Sequence, residues 1–283
     1  MNDFKERLFK GIFTAAACVS ILAVAVICVF LFAKGLPAIM KIGPAEFLGG
    51  KEWRPSNEIF GIFPMIIGSL YVTAGALLFG VPVAILTAVF LSKFCSEKIY
   101  RIMKPAVNLM AGIPSVVYGF FGLVVIVPFI RDNIGGRGAS VLAASVLLGI
   151  MILPTIIGVT ESALKAVPES YYEGALALGA THERSVFTTV LPAAKSGIFA
   201  GIVLGVGRAV GETMAVMMVA GNQPVIPAKL TSGVRTLTTN IVLEMGYATD
   251  LHREALIATA VVLFIFILII NITFSIIKRR AKL

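Results

Sequence analysis

The sequence predicts an all-α membrane protein of six transmembrane helices with both termini in the cytoplasm. Of its 283 residues 58% are hydrophobic and 14% charged, whereas soluble domains carry about a quarter charged residues. Uncharged apolar runs cover 12–33, 59–92, 105–130, 138–160 and 255–277, and a sixth run, 196–228, is interrupted only by Arg208 and Glu212. Each reaches the roughly 20 residues that cross a hydrocarbon core. Most of the 24 Lys and Arg residues fall in segments 1–11, 93–104, 161–195 and 278–283, which the positive-inside rule assigns to the cytoplasm. The net charge of +9 is then a mark of topology, and a nucleic-acid partner has little to rest on.

The first run, 12–33, is long enough to span and no A-x-A site follows it, so it reads as an uncleaved helix and not a removed signal segment. With the polar external loop Lys34 to Glu58 it makes an N-terminal unit, 1–65. Trp53 in that loop reads as a headgroup-level anchor. Pro64 ends a short interfacial piece, and the second span is expected from about Ile66. The third is interrupted by Pro105, Gly112, Pro114, Gly119, Gly122 and Pro128. It should bend and face protein or a cavity that satisfies its freed carbonyls.

The fifth span carries a small-residue stripe, Ala193, Gly197, Gly201, Gly205, Ala209 and Thr213 at every fourth position, with Gly207, Gly211 and Ala215 beside it. Such stripes let helices approach closely in lipid. In the external segment 221–254, Leu230, Val234, Leu237, Ile241 and Met245 suggest a short amphipathic helix. A unit of five spans, 66–277, and a basic tail, 278–283, complete the chain. Cys18, Cys28 and Cys95 have no metal-ligand spacing, so no metal site is expected. His182 and His252, on opposite membrane faces by this topology, read as polar loop residues.

The cytoplasmic connector 161–192 has helix signals of its own. Glu169, Ser170 and Glu173 follow Pro168, where acidic residues favour the helix dipole, and Gly179 offers a stop. A short helix, a glycine turn and a second helix ending before Leu191-Pro192 would make a compact knob.

Arg208 and Glu212 are four residues apart, so in a continuous helix both project from one face. An ionised side chain at mid-bilayer costs roughly 2.5–3.5 kcal/mol on insertion scales and marks a pathway or a pair by default. Arginine suits an oxyanion because its planar fork offers two parallel N–H donors. The expected roles are Arg208 in the translocation path and Glu212 as its resting counter-charge, the alternative being an ion pair that holds the bundle. Arg131 and Arg137 lie in a short external loop as further cations.

The connector resembles the ABC-importer pattern E-A-A-x3-G-x9-I-x-L-P: Glu173, Ala175, Gly179, Leu191 and Pro192 match, while Gly174 and Thr189 depart from it. The stretches Ala111 to Gly119 (AGIPSVVYG), Ile152 to Ile156 (ILPTI), Arg208 to Val216 (RAVGETMAV) and Trp53 to Pro64 resemble phosphate ABC-transporter permeases of the PstC type. The resemblance implies a type I, MetI-like importer fold in the plasma (inner) membrane, with residues 169–192 as the ATPase coupling loop. It also implies a PstA-type permease partner, two copies of a PstB-type ATPase, an external PstS-type phosphate-binding protein, and Arg208 and Glu212 as phosphate-translocating residues. ATP would be used by the partner ATPase. This chain lacks a Walker loop: where Gly211 would be the second glycine of G-x4-G-K-[ST], Val206 and Glu212 take the first glycine and lysine positions. A permease for molybdate or sulfate, or a channel or secondary transporter without an ATPase, remain the alternatives.

Overall fold

The computed structural model describes residues 2–280, with side chains described from Glu6 onward except at 275 and 277–280. Residues 281–283 of the expected basic tail lie outside the described residues, and 278–280 extend the last helix. In order, the elements are α1 (Asn2–Ile42), α2 (Pro44–Gly49), β1 (Trp53–Arg54), β2 (Ile59–Phe60), α3 (Phe63–Val89), α4 (Glu97–Gly112), α5 (Ser115–Phe121), α6 (Val127–Asn133), α7 (Val141–Lys165), α8 (Glu169–Ala177), α9 (His182–Ser185), α10 (Leu191–Ala193), α11 (Lys195–Gly211), α12 (Met214–Val219), α13 (Leu237–Met245) and α14 (Asp250–Arg280). Three wide π turns, Phe90–Phe94, Gly122–Ile126 and Val186–Val190, follow α3, α5 and α9 without a break. Five helical stretches are long and apolar enough to cross a membrane: Glu6–Ile42, Phe63–Phe94, Ser115–Asn133, Val141–Lys165 and Asp250–Phe274. A sixth is the bent pair His182–Ala193 and Lys195–Gly211.

α7 is the centre of the bundle, buried along most of its length and packed against α3, α11, α12, α5 and α4. Small residues make that possible, since lipid provides no hydrophobic drive between helices and close backbone approach must supply the attraction. A Cβ on Gly197 would lie 2.3 Å from Ala163 Cβ, and one on Gly205 2.7 Å from Ile156 Cδ1. Gly201 meets Val159 and Thr160 between them, and Ala209 is buried in the same cluster. The other stripe divides: Gly207 and Gly211 have nothing within 4 Å of a Cβ position, whereas Ala215 is buried in α12.

Several boundaries differ from the hydropathy pattern. α1 continues through Lys34 to Ile42, so the external loop starts later than the polar residues suggest. α3 starts at Phe63 with Pro64 inside its first turn, where a missing N–H costs nothing. The run 105–130 belongs to two helices. Pro114 has no N–H and holds Ile113 extended (φ −70°, ψ 126°), which ends α4 at Gly112; α4 is amphipathic, and the span begins at Ser115. Leu230 and Val234 are not helical: Val234 bridges Gly221. α13 begins only at Leu237, where Thr236 and Thr239 cap each other's backbone N–H groups.

Outside the bundle, α2, the β1–β2 hairpin, α13 and the start of α14 enclose a second core around Phe47, Trp53, Phe60, Ile62, Leu237 and Leu256. At its polar edge Glu244, 7% exposed, accepts from Trp53 Nε1 at 2.8 Å and Arg235 Nη1 at 2.6 Å, and meets His252 Nε2 at 2.8 Å. Trp53 is therefore buried in protein and not a headgroup anchor, and His252 is part of this network, not a plain loop residue. A carboxylate taken out of water holds its charge only with such partners.

Two measurements check this packing. Gly197→Ala should destabilise the purified permease by about 1–3 kcal/mol through overpacking against Ala163, seen as a lower thermal midpoint, whereas Gly207→Ala should leave it unchanged or slightly higher. Glu244→Ala, which strands the mostly buried Arg235, should cost about 3–5 kcal/mol; a melt matching wild type would show the network to be dispensable.

Candidate functional site

Two parts of the molecule carry the residues singled out from sequence. The first is the connector after α7. Pro168 starts α8, and Gly179 turns the chain in the left-handed region (φ 84°) that favours glycine. Thr181 then caps α9 by accepting from Arg184 N at 3.3 Å. The second helix does not end before Leu191-Pro192. It runs through the Val186–Val190 π turn into α10 and breaks at Ala194 with a 69° bend. Pro192 has no N–H to return to the preceding turn, and the widened turn accommodates that loss. Glu173, Gly179 and Pro192 are exposed, while Ala175 and Leu191 are half-buried. Leu178 is 91% exposed, with Tyr171, Leu176 and Phe187 also open, an apolar surface of the kind that marks a protein contact.

The knob is tied to the end of α3. His182 Nε2 lies 3.1 Å from the Lys93 carbonyl and Nδ1 lies 2.7 Å from the Tyr172 hydroxyl. A carbonyl can only accept, so in the neutral ring Nε2 carries the proton and Nδ1 accepts from the tyrosine. Phe94 packs edge-on to the imidazole at 4.6 Å, and Lys93 Nζ reaches Glu169 at 3.4 Å. His182 is thus a bracket between two elements and not a free loop residue. Lys93 gave no sign of this in the sequence, because it lies 89 residues from His182, and Tyr172, 10 residues away, was passed over.

The second part is the break in the fifth span, the one that carries α11. α11 stops at Gly211, Glu212 is extended (φ −70°, ψ 125°), and α12 starts at Met214. The expected one-face pairing of Arg208 and Glu212 required a continuous helix and does not form. Glu212 Oε1 instead accepts from Ala215 N at 3.2 Å, capping α12, and its carbonyl accepts from Thr238 Oγ1 at 3.3 Å. Half-buried in the last turn of α11, Arg208 donates from Nη1 to Thr155 Oγ1 of α7 at 3.2 Å. Among the described residues it has no carboxylate partner. The sequence offered no route to Thr155, which sits 53 positions away on another helix.

Sequence reasoning also missed Glu161, Tyr100, Lys104 and Lys165, which form one network between α4 and the end of α7. The available sign was two pairs at i,i+4 spacing, Tyr100/Lys104 and Glu161/Lys165. Among the described residues no group of His, Cys, Asp and Glu could hold a metal ion.

Residues 80–283 match the family described as "Binding-protein-dependent transport system inner membrane component". The chain belongs to this family. It is the multi-pass permease component of a type I ABC importer, whose ATPase resides in a separate subunit. Among its relatives, the "Probable ABC transporter permease protein YqgH" of Bacillus subtilis is 40% identical over 96% of this chain and 90% of that protein. The "Phosphate transport system permease protein PstC" of Mesorhizobium japonicum is 32% identical over 94% and 87%. Of the solved structures, a bacterial alginate ABC transporter superposes with TM-score 0.60 at 17% identity, covering 97% of this chain and 98% of that one. The MetNI methionine ABC transporter in an inward-facing conformation gives 0.58 at 24% identity, over 78% and 94%. These likenesses concern the fold.

The bracket at His182 is open to a direct check. His182→Ala removes two side-chain hydrogen bonds of about 1 kcal/mol each, so amides of the 178–185 turn should exchange about 5- to 30-fold faster. Exchange at the wild-type rate would mean that the knob holds itself.

Proposed function

We propose that this permease carries inorganic phosphate into the cell, by alternating access driven by a PstB-like ATPase dimer. A PstA-like permease would complete the pathway and a PstS-like binding protein would deliver phosphate from outside. The PstC relatives support the substrate. The observation that carries the reading is Arg208: a guanidinium at a break in an apolar span, half-exposed beside the open face of Gly207 and Gly211, with a threonine as its anchor and no carboxylate partner among the described residues. Glu212 contributes by capping the break, which leaves the arginine charge free for a passing oxyanion. Two parallel N–H donors suit phosphate, while the threonine anchor fixes the fork without neutralising it.

In this cycle ATP binding closes the ATPase pair and draws the 169–192 knobs together. The knob, with Glu173, Ala175, Gly179, Leu191 and Pro192, passes that motion through the bend at Ala194 to α11. The cavity opens outward, phosphate moves past Arg208, and hydrolysis restores the inward-facing state. Family membership sets aside the channel without an ATPase. A second oxyanion stays in play because YqgH carries no substrate in its name.

In vesicles holding the assembled importer, Arg208→Gln should lower phosphate uptake about 30-fold or more, the effect of removing a charged hydrogen-bonding partner, while assembly and basal ATP hydrolysis persist. Normal uptake by this variant would refute the role. Excess sulfate or molybdate should leave wild-type phosphate uptake unaffected; competition at equal concentration would favour a broader oxyanion carrier.

A further inference from the structure

We propose that Lys165 and Lys104 form a second oxyanion station at the cytoplasmic end of the path that begins at Arg208. The inference rests on the phosphate reading above and extends it to residues outside the pattern that suggested it. Its starting point is α7. This helix is mostly buried, yet Thr155, Gly158, Ser162 and Lys165 are all half-buried or exposed. Their spacings of three, four and three residues put them on one face. Thr155 holds Arg208. Gly158 has nothing within 4 Å of a Cβ position, so the face is open below it. Ten residues separate Thr155 from Lys165, or about 15 Å of helix. A small, polar stripe therefore leads from the arginine to an ammonium group where the chain enters the coupling connector.

The network at that end has charge to spare. Glu161, 2% exposed, accepts from Lys104 Nζ at 2.6 Å, Lys165 Nζ at 2.7 Å and the Tyr100 hydroxyl at 2.7 Å. Lys165 also donates to the Tyr100 oxygen at 2.8 Å. Two ammonium groups share one carboxylate, leaving one positive charge in excess. An ammonium has three donors. Lys165 spends two and Lys104 one on these partners, so three N–H donors remain for an oxyanion. The shared carboxylate positions both amines and limits how firmly an anion is held, which suits release. Lys165 keeps about half its side chain exposed and Lys104 about a quarter (49% and 26%).

The ligand chemistry is a phosphate oxyanion, and it has two possible sources, transported phosphate or a lipid headgroup. The continuous stripe from Arg208 favours the transported ion. Importer vesicles with ATP inside and graded lumenal phosphate separate them. In wild type, lumenal phosphate should occupy the station and slow uptake. Lys165→Gln should raise the half-inhibitory lumenal concentration about five- to tenfold, the effect of one charged hydrogen-bonding group at a half-exposed site, with the KM for external phosphate unchanged. Lys165→Arg should restore the wild-type value. Glu161→Gln, which releases a second positive charge, should lower it.

A latch that only fastens α4 to α7 predicts otherwise: Lys165→Gln and Glu161→Gln would reduce uptake alike with the half-inhibitory concentration unmoved, and the proposal falls. It falls equally if Lys165→Gln fails to assemble. A lipid site would show as loss of phosphatidylglycerol dependence in Lys165→Gln with no change in lumenal inhibition, and that too overturns it. Absence of phosphate uptake by wild type would instead strike the underlying functional reading.

Discussion

A helix that stops inside a bilayer must have its free N–H and C=O groups met by protein, because hydrocarbon offers neither donor nor acceptor. Around the interruption at Gly211–Thr213 side chains meet several of these groups. Glu212 takes the Ala215 N–H and Thr238 reaches the Glu212 carbonyl. Ser69 of α3 accepts from Leu237 N at the start of α13, 3.0 Å away. The acid that a continuous helix would have aimed at Arg208 is committed to backbone instead. The isolation of the arginine follows from that commitment, and the seating of the external segment from the carbonyl of the same residue.

The rest of the bundle keeps this break in register. α7 approaches α3 and α11 through positions where a methyl group would collide, such as Gly197 against Ala163 and Gly75 against Ser145, so relative sliding is restricted. On the outer face, Glu244 joins the hairpin, α13 and α14 through groups as distant in sequence as Trp53 and His252. α13, which this network holds, is also the element that supplies Thr238 to the break. The external module is therefore a strut for the break, built around a buried acid.

Hydropathy revealed the membrane class, the spans and the knob, because runs of about 20 apolar residues and a polar connector with its own caps are local properties. It misplaced boundaries where local backbone chemistry overrides apolarity. Pro114 splits one run into an interfacial helix and a span, Thr236 delays α13, and Gly211 ends α11 one residue before the acid expected to pair with Arg208. The burial of Trp53 and the contact of His182 with Lys93 were not legible, since their partners lie 191 and 89 residues away. The same holds for Thr155 and Glu161. Polar residues at the ends of apolar runs look like ordinary loop beginnings until a second helix arrives beside them.

The π turns carry a mechanical implication. Two of them, Phe90–Phe94 and Val186–Val190, lie on either side of the His182 bracket, at the inner ends of different spans. A π turn carries one residue more than regular α winding, so resuming that winding on one side would rotate the attached span by about 100°. The imidazole thus joins two places where the winding of the spans holds slack, two swivels set between the connector and the rigid rods.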